Sequence, residues 1–283
     1  MSPFDHPSVR RLVRLALEED IGRGDVTTAA TVPAGIPGKA AIIARHRVVV
    51  AGLPILAVVL GEAGMAGVRV DLRVEERTAV GSDTLLAEIG DDAARLLTVE
   101  RVILNFLQRM CGVATLTRRY AEAVAGTRAK IVDTRKTVPG WRLLDKYAVV
   151  AGGGANHRSG LDDGVLIKDN HIVACGSVRA AVERARAGAH HLLRIEVECE
   201  TMAQVAEALS AGVDIVLLDN MAPSEIAQAV RRIAGRALVE ASGGVTLDTV
   251  REIAAAGVDL ISVGALTHSA PAADLSMDLA LLQ

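Results

Sequence analysis

Charged side chains follow several predicted strands in the C-terminal half of the sequence, and their types suit the binding of anions. Cationic residues follow the first two of these strands, at Arg135, Lys136 and Lys168. Carboxylates lie at the ends of the next two, at Glu198 and Asp219. Arginine binds carboxylates and phosphates through paired hydrogen bonds, and carboxylate oxygens suit a hard divalent cation. The pattern therefore predicts a site for a multiply anionic substrate together with a divalent ion.

Glycine-rich segments lie close to these charges. The run 152–154 precedes His157 and Arg158, and glycine allows backbone N–H groups to approach an anion closely. The segments Ser242-Gly243-Gly244 and Gly264-Ala265 follow the last two predicted strands, where α/β barrels often bind phosphate. We expect these segments to hold the phosphate groups of a ligand.

Glu196 and Glu198 are two residues apart on one predicted strand, so their side chains share a face. If that face is the interior of a barrel, two carboxylates are buried there and need cationic or metal partners. Lys168, Lys136 and Arg135 are the candidate partners. A purely structural ion-pair network is the alternative interpretation for Glu196.

The elements that must position these residues form a repeating pattern. Apolar, β-branched runs at 129–133, 164–167, 192–198, 214–218, 237–240 and 260–263 alternate with helical segments. Ser177 and Thr201 are typical residues before a first helical turn, and Gly212 and Gly257 are typical after a last one. Repeated strand–helix units predict a parallel sheet, and this number of units favours an α/β barrel.

The first hundred residues follow a different pattern. A helix is predicted at 7–20, strands at 39–50, 68–75 and 81–89, and a helix at 53–62, before a long helix at 99–124. We expect an N-terminal α+β domain over 1–104 and a catalytic barrel domain over 105–268. The tail 269–283 is a candidate part of the first domain.

Composition excludes several classes of protein. Net charge is −3, so neither nucleic acid nor an anionic membrane is an expected partner. Hydrophobic residues make up 51% but aromatic residues only 2%, as expected for parallel strands covered by aliphatic side chains. The three cysteines form no metal or disulfide pattern, no signal peptide is evident, and no apolar run could span a bilayer. We expect a cytoplasmic protein.

Several motifs resemble those of the quinolinate phosphoribosyltransferases. The segment D-T-R-K-T-V-P-G at 133–140 resembles the signature of that family, as do K-Y-A at 146–148 and L-I-K-D-N-H at 166–171. Further similar segments, which extend the resemblance over nearly the whole chain, are 19–22, 24–28, 100–115, 152–161, 196–198, 218–221, 240–244 and 263–268. Val138 and Trp141 depart from the family pattern, but neither is a charged position.

The resemblance implies a fold, a reaction and a partner. The fold is an open, incomplete parallel α/β barrel with an N-terminal α+β sandwich domain. In the reaction, quinolinate and phosphoribosyl pyrophosphate give nicotinate mononucleotide, pyrophosphate and carbon dioxide with Mg²⁺, in NAD biosynthesis. The resemblance also implies a homodimer, in which Arg101 reaches into the neighbouring subunit's site.

The resemblance further implies roles for individual residues. Arg135, His157 and Arg158 would bind the quinolinate carboxylates, while Lys136 and Lys168 would serve the carboxylate and the phosphoribosyl donor. Glu198 and Asp219 would face the ribose hydroxyls and hold Mg²⁺. The remaining substrate-binding candidates are Thr134 and the backbones that would hold the 5′-phosphate, at Ser242, Gly243, Gly244, Val263, Gly264 and Ala265.

Two other functions remain open at this point. A related phosphoribosyltransferase could act on nicotinate or on a molybdenum-linked substrate, although the set of arginines favours two carboxylates. A Schiff-base aldolase could use Lys168 at the end of its strand.

Overall fold

The computed structural model describes residues 2–282, which divide into two compact units. One unit comprises residues up to Arg118 together with Thr137–Gly153 and the segment from Leu266 onwards. The other comprises Arg119–Lys136 and Gly154–Ala265. None of the helices in the described part of the chain is both long enough and apolar enough to cross a membrane.

A short 3-10 turn at Pro3–Asp5 precedes the regular elements of the first part of the chain. These elements are α1 (Pro7–Ile21), α2 (Val26–Thr31), β1 (Pro37–Ala44), β2 (Val48–Val49), α3 (Ile55–Glu62), β3 (Arg69–Leu72), β4 (Ala79–Val80), β5 (Thr84–Asp92) and α4 (Ala93–Ala123). The boundary predicted between 104 and 105 falls inside α4, which continues without a break from one unit into the other.

The second part of the chain alternates strands with helices. Its elements are β6 (Lys130–Val132), α5 (Arg142–Ala151), β7 (Val165–Ile167), α6 (Asp169–Cys175), α7 (Val178–Gly188), β8 (Ile195–Cys199), α8 (Met202–Ala211), β9 (Ile215–Asp219), α9 (Pro223–Ile233), β10 (Leu238–Ser242), α10 (Val250–Ala255), β11 (Leu260–Ser262), α11 (Ala265–His268) and β12 (Leu275–Leu281).

The first unit contains an antiparallel sheet of order β12-β1-β5-β3. Alternate residues of β1, among them Ala40 and Ile42, are fully buried because successive side chains of a strand point to opposite faces. The tail strand β12 pairs with β1 along its length, from Leu275 opposite Ala44 to Leu281 opposite Gly38. The predicted strand 39–50 is interrupted, since β1 ends at Ala44 and β2 is a separate two-residue strand.

The second unit contains six parallel strands in the order β6-β11-β10-β9-β8-β7. Each coincides with a predicted strand to within three residues at either end, so the α/β class is confirmed. Thr201 caps α8 through the backbone N–H of Gln204, and Gly212 ends the helix with a φ of 72°. Both follow from the free N–H and C=O groups that helix ends leave.

The sheet curls into an open barrel, because residues from β7 to β11 and from the loop after β6 line one cavity. Strands β6 and β7 are its two edges. Beside β6 lies an extended segment, which Ala155 joins through a parallel bridge to Val132. This segment places His157 and Arg158 next to the first strand, so residues far apart in sequence reach the same interior.

Candidate active site

A cavity of about 410 Å³ lies at the carboxyl ends of the barrel strands, where α/β barrels place their active sites. It contains eleven of the fifteen candidate residues: Thr134, Arg135, Lys136, His157, Arg158, Lys168, Glu198, Asp219, Ser242, Gly243 and Gly244. Its other lining residues are Leu166, Leu217, Asn220, Glu240 and Ser262.

Four candidates lie elsewhere. Arg101 is exposed on α4, in the first unit. Val263, Gly264 and Ala265 follow β11 but are not among the residues that line the cavity, and Ala265 begins α11. The roles that the family resemblance implied for these four residues stay predictions.

The cationic side of the cavity is formed by the segment after β6 and by the extended segment beside it. The Thr134 hydroxyl accepts the Lys136 backbone N–H at 3.0 Å, which shapes the turn that carries Arg135 and Lys136. The Arg158 guanidinium donates to the Gly164 carbonyl at 3.1 Å. Burial and the nearby charge of Arg135 lower the pKa of Arg158. Two guanidinium groups thus share one cavity, and an anion between them would offset their repulsion.

The opposite side carries the carboxylates. Lys168 is paired with Glu198, whose side chain is 12% exposed. Lys168 is one of the cationic partners predicted for the two carboxylates of β8. The Lys168 backbone N–H donates to His171 Nδ1 at 2.9 Å, which fixes the turn into α6. Asp219 ends β9 and accepts a hydrogen bond from the Asn220 side chain at 2.6 Å.

Two turns interlock at the ends of β9 and β10. Asn220 has a φ of 54°, and its backbone N–H donates to the Ser242 carbonyl at 2.9 Å. Gly243 has a φ of 92°, and a Cβ there would lie 2.2 Å from Asn220 Oδ1. Only glycine fits both the conformation and the space. The close approach keeps the exposed Gly244 and the half-buried Ser242 at the rim, where backbone groups are available to a phosphate.

Beneath the cavity, Glu196 lies against a histidine. His157 Nε2 is 3.1 Å from Glu196 Oε2 and 3.6 Å from Glu240 Oε1. Sequence reasoning missed Glu240 as a site residue. The signal was present, because Glu240 and Ser242 are two apart on β10 and share a face, as Glu196 and Glu198 do on β8.

Comparisons with known proteins agree along the whole chain. The profile described as "Quinolinate phosphoribosyl transferase, C-terminal domain" matches residues 113–278, and the N-terminal domain of the same name matches residues 25–111. A protein of Mycobacterium leprae named nicotinate-nucleotide pyrophosphorylase [carboxylating] is 44% identical, with 99% of this chain and 100% of the relative covered. A probable enzyme of that name from Bacillus subtilis is 41% identical, with 98% and 96% covered.

A solved structure shows the same fold. The crystal structure of NadC from Streptococcus pyogenes superposes with a TM-score of 0.94 at 40% identity, covering 100% of this chain and 99% of that one.

Proposed function

Since this chain belongs to the quinolinate phosphoribosyltransferase family, we propose that the family reaction takes place in the barrel cavity. The enzyme transfers the phosphoribosyl group of phosphoribosyl pyrophosphate to quinolinate, with loss of carbon dioxide. The product is nicotinate mononucleotide, in the biosynthesis of NAD. This assignment replaces the two alternatives, which were a related phosphoribosyltransferase acting on nicotinate or a molybdenum-linked substrate, and a Schiff-base aldolase.

One observation supports the cavity as the quinolinate site above the others. Arg135 and Arg158 line the same half-buried cavity, close enough that the charge of Arg135 lowers the pKa of Arg158. Quinolinate carries two adjacent carboxylates, and two arginines can bind them through paired, charge-assisted hydrogen bonds. The carboxylates of the ligand would then add negative charge beside both guanidinium groups. Lys136, at the exposed rim, can screen the same carboxylates.

The phosphoribosyl donor fits the opposite side. Positive charge develops on the ribose as the pyrophosphate departs, as in glycoside chemistry, and fixed carboxylates at Glu198 and Asp219 can stabilise it. Lys168 can bind a phosphate oxygen, and the rim turns of Ser242 to Gly244 offer backbone donors. With both substrates held, the ring nitrogen and the anomeric carbon meet without the entropic cost of a free encounter.

Magnesium is part of this proposal. The carboxylate oxygens of Glu198 and Asp219 line the cavity and are ligands of the type that Mg²⁺ prefers. Bound there with the donor, Mg²⁺ would neutralise charge on the pyrophosphate leaving group. Glu198 would have to exchange its present partner Lys168 for the metal or the ribose, which leaves Lys168 available to a phosphate.

A turnover assay tests the reaction. Purified protein with phosphoribosyl pyrophosphate and Mg²⁺ should convert quinolinate to nicotinate mononucleotide, and should release one carbon dioxide per product. Nicotinate in place of quinolinate should give no more than background conversion. Robust activity on nicotinate alone would contradict the proposal. Omitting the metal and adding a chelator tests the Mg²⁺ requirement in the same assay.

The homodimer and the contribution of Arg101 are also proposals, supported by the exposure of this arginine on α4. Arg101→Ala and Lys168→Ala subunits are each expected to be nearly inactive alone. If sites are shared, random mixing of the two should restore roughly a quarter of the wild-type activity, because half of the dimers then contain one intact site. No restoration after verified subunit exchange would contradict shared sites. We further propose that the enzyme works in the cytoplasm, as the composition predicts.

A further inference from the structure

Three titratable groups form a buried cluster under the quinolinate side of the cavity. Glu196 is 4% exposed and Glu240 is 1% exposed, and both face the ring of His157. One ligand atom from each of the three lies within 4.8 Å of the other two. Burying two carboxylates side by side is costly, so their retention here calls for a physical reason.

The hydrogen bonds of His157 define the state of its ring. The backbone N–H of Arg158 donates to His157 Nδ1 at 2.7 Å, so Nδ1 is an acceptor and carries no proton. The ring proton is therefore on Nε2, which points at Glu196 Oε2. A neutral imidazole in this tautomer directs its N–H to the protein.

The main chain around His157 is fixed from a second direction. Its own backbone N–H donates to Asp133 Oδ1 at 2.9 Å, and Asp133 is fully buried at the end of β6. The next residue is Arg158, which lines the cavity and whose guanidinium donates to the Gly164 carbonyl. The direction of that guanidinium therefore depends on a main chain held by the His157 ring on one side and by Asp133 on the other.

Glu240 completes the support from below. Neither of its side-chain oxygens has a hydrogen-bond partner in the described part of the chain, and Glu196 Oε1 also lacks one there. Burial, and next the charge of Glu196, raise the pKa of Glu240 to about 7, and the charge of Asp133 adds to the rise. A protonated Glu240 is a neutral group that fills the space beside the imidazole.

We propose that Glu240 is a positioning residue for quinolinate: with Glu196 it holds the His157 ring in one tautomer, and His157 fixes the main chain from which Arg158 enters the cavity. The inference rests on the proposed function of the cavity, since it concerns how that site is held. Glu240 touches no reacting atom in this account and acts only through His157.

A metal ion bound by the same three residues is the competing explanation. It would need the lone pair of His157 Nε2, whereas the contact from the Arg158 N–H assigns the proton to that nitrogen. The geometry thus favours a proton over a metal. Metal analysis of the purified protein separates the two, since a bound metal ion that is lost in Glu240→Gln would overturn the proposal.

Substitutions at Glu240 test the positioning role through a split between kinetic constants. Glu240→Ala should raise the quinolinate KM by about 10-fold, while kcat and the KM for phosphoribosyl pyrophosphate change less than about 3-fold. Glu240→Gln should stay within about 2-fold of wild type in all three, because a neutral amide reproduces the shape of the protonated acid. Glu252→Gln, on the exposed surface of α10, is the matched control.

Substitutions at His157 test the tautomer and do not depend on Glu240→Ala folding. Asparagine places its oxygen where Nδ1 lies and keeps an acceptor for the Arg158 N–H, whereas glutamine places its polar atoms nearer to Nε2. His157→Asn should therefore have a quinolinate KM at least about 5-fold lower than that of His157→Gln. A cationic, substrate-binding histidine would make the two variants equally poor.

The outcomes are separable from those of the function itself. If the wild-type enzyme turns over no quinolinate, the proposed function fails. If the wild type is active but Glu240→Gln is as impaired as Glu240→Ala, or if Glu240→Ala behaves as wild type, only the positioning role is overturned. Thermal unfolding of each variant accompanies the kinetics, so that a loss of quinolinate binding is compared only among folded proteins.

Discussion

Replacing Arg158 by methionine should remove most of the affinity for quinolinate without destabilising the free enzyme. The long apolar side chain of methionine keeps the volume of the arginine stem but has no charge. In the ligand-free cavity that charge is disfavoured, because burial and Arg135 lower the pKa of Arg158. In the complex the same charge faces a carboxylate. The substitution should therefore relieve an unfavourable charge in the free enzyme, but remove a favourable one in the quinolinate complex.

The magnitude of each effect follows from the contacts. Losing one partner of a hydrogen-bonded charge pair typically costs about 2–5 kcal/mol, which corresponds to a rise in quinolinate KM on the order of 100-fold. In the free enzyme, Arg158→Met loses the hydrogen bond to the Gly164 carbonyl, worth about 1 kcal/mol. Relief of the repulsion by Arg135 offsets that loss, so the free energy of unfolding should change by about 1 kcal/mol or less.

Initial rates over a range of quinolinate concentrations give KM and kcat, and urea titration without ligand gives the free energy of unfolding. Arg231→Met is the control, because Arg231 is exposed on α9, far along the chain from the cavity residues. A quinolinate KM within about 3-fold of wild type would refute the assignment of Arg158 to the substrate carboxylates. A loss of more than about 3 kcal/mol in stability would refute the argument that its charge is disfavoured in the free cavity.

Three further predictions follow from single contacts. Arg109→Leu leaves the fully buried Asp145 carboxylate without its bidentate partner and should lower the free energy of unfolding by about 3–5 kcal/mol, measured by urea titration. Glu240 releases its proton near pH 7 when folded but near pH 4.5 when unfolded, so wild-type stability should fall as pH rises through that window. Glu240→Gln should lack this fall and be more stable than wild type at pH 8, by up to about 3 kcal/mol. Gly243→Ala should raise the KM for phosphoribosyl pyrophosphate by about 10-fold, because the added Cβ would displace the Asn220 side chain.

Each of these has an internal control. The double variant Arg109→Leu with Asp145→Leu should recover most of the stability, because no unpaired charge remains. Unfolding of these variants can be followed by the fluorescence of Trp141, which is the only tryptophan in the sequence. Its ring lies 5.4 Å from the Arg109 guanidinium. Parallel stability curves for wild type and Glu240→Gln between pH 5 and 8 would contradict the assigned proton. Gly235→Ala, which has a similar φ but open space around it, should leave both KM values unchanged.

The barrel was predictable because local signals agree with the final structure there. Apolar runs of four to seven residues correspond to β6 through β11, and Thr201, Gly212 and Gly257 lie where helices begin or end. Strand ends then identify the site, since parallel strands deliver their last residues to one rim. Eleven candidate residues reach one cavity for that reason.

The parts that were not predicted depend on long-range packing. Sequence spacing places Glu196 on the same face as Glu198, but it does not say which groups stand opposite. The partner of Glu196 is His157, which reaches it because the segment of Ala155 pairs beside β6 and the sheet curls. Likewise, β1 ends near Ala44, earlier than the apolar pattern to residue 50 indicates, and its last backbone contact is to the tail, since the Arg45 N–H donates to the Asp274 carbonyl.

The buried carboxylates and the paired arginines explain one another. Two guanidinium groups in a half-buried cavity would repel each other and turn outward in the absence of substrate, unless negative charge lies behind them. Glu196 supplies such charge, since it acts to raise the pKa of Arg158 against burial and Arg135. A second full charge at Glu240 would exceed what the cavity can stabilise, and its raised pKa removes that charge near neutral pH. Glu196 therefore favours the charged form of Arg158 before quinolinate binds, and the protonated Glu240 adds no second charge. Little reorganisation of the site then accompanies binding.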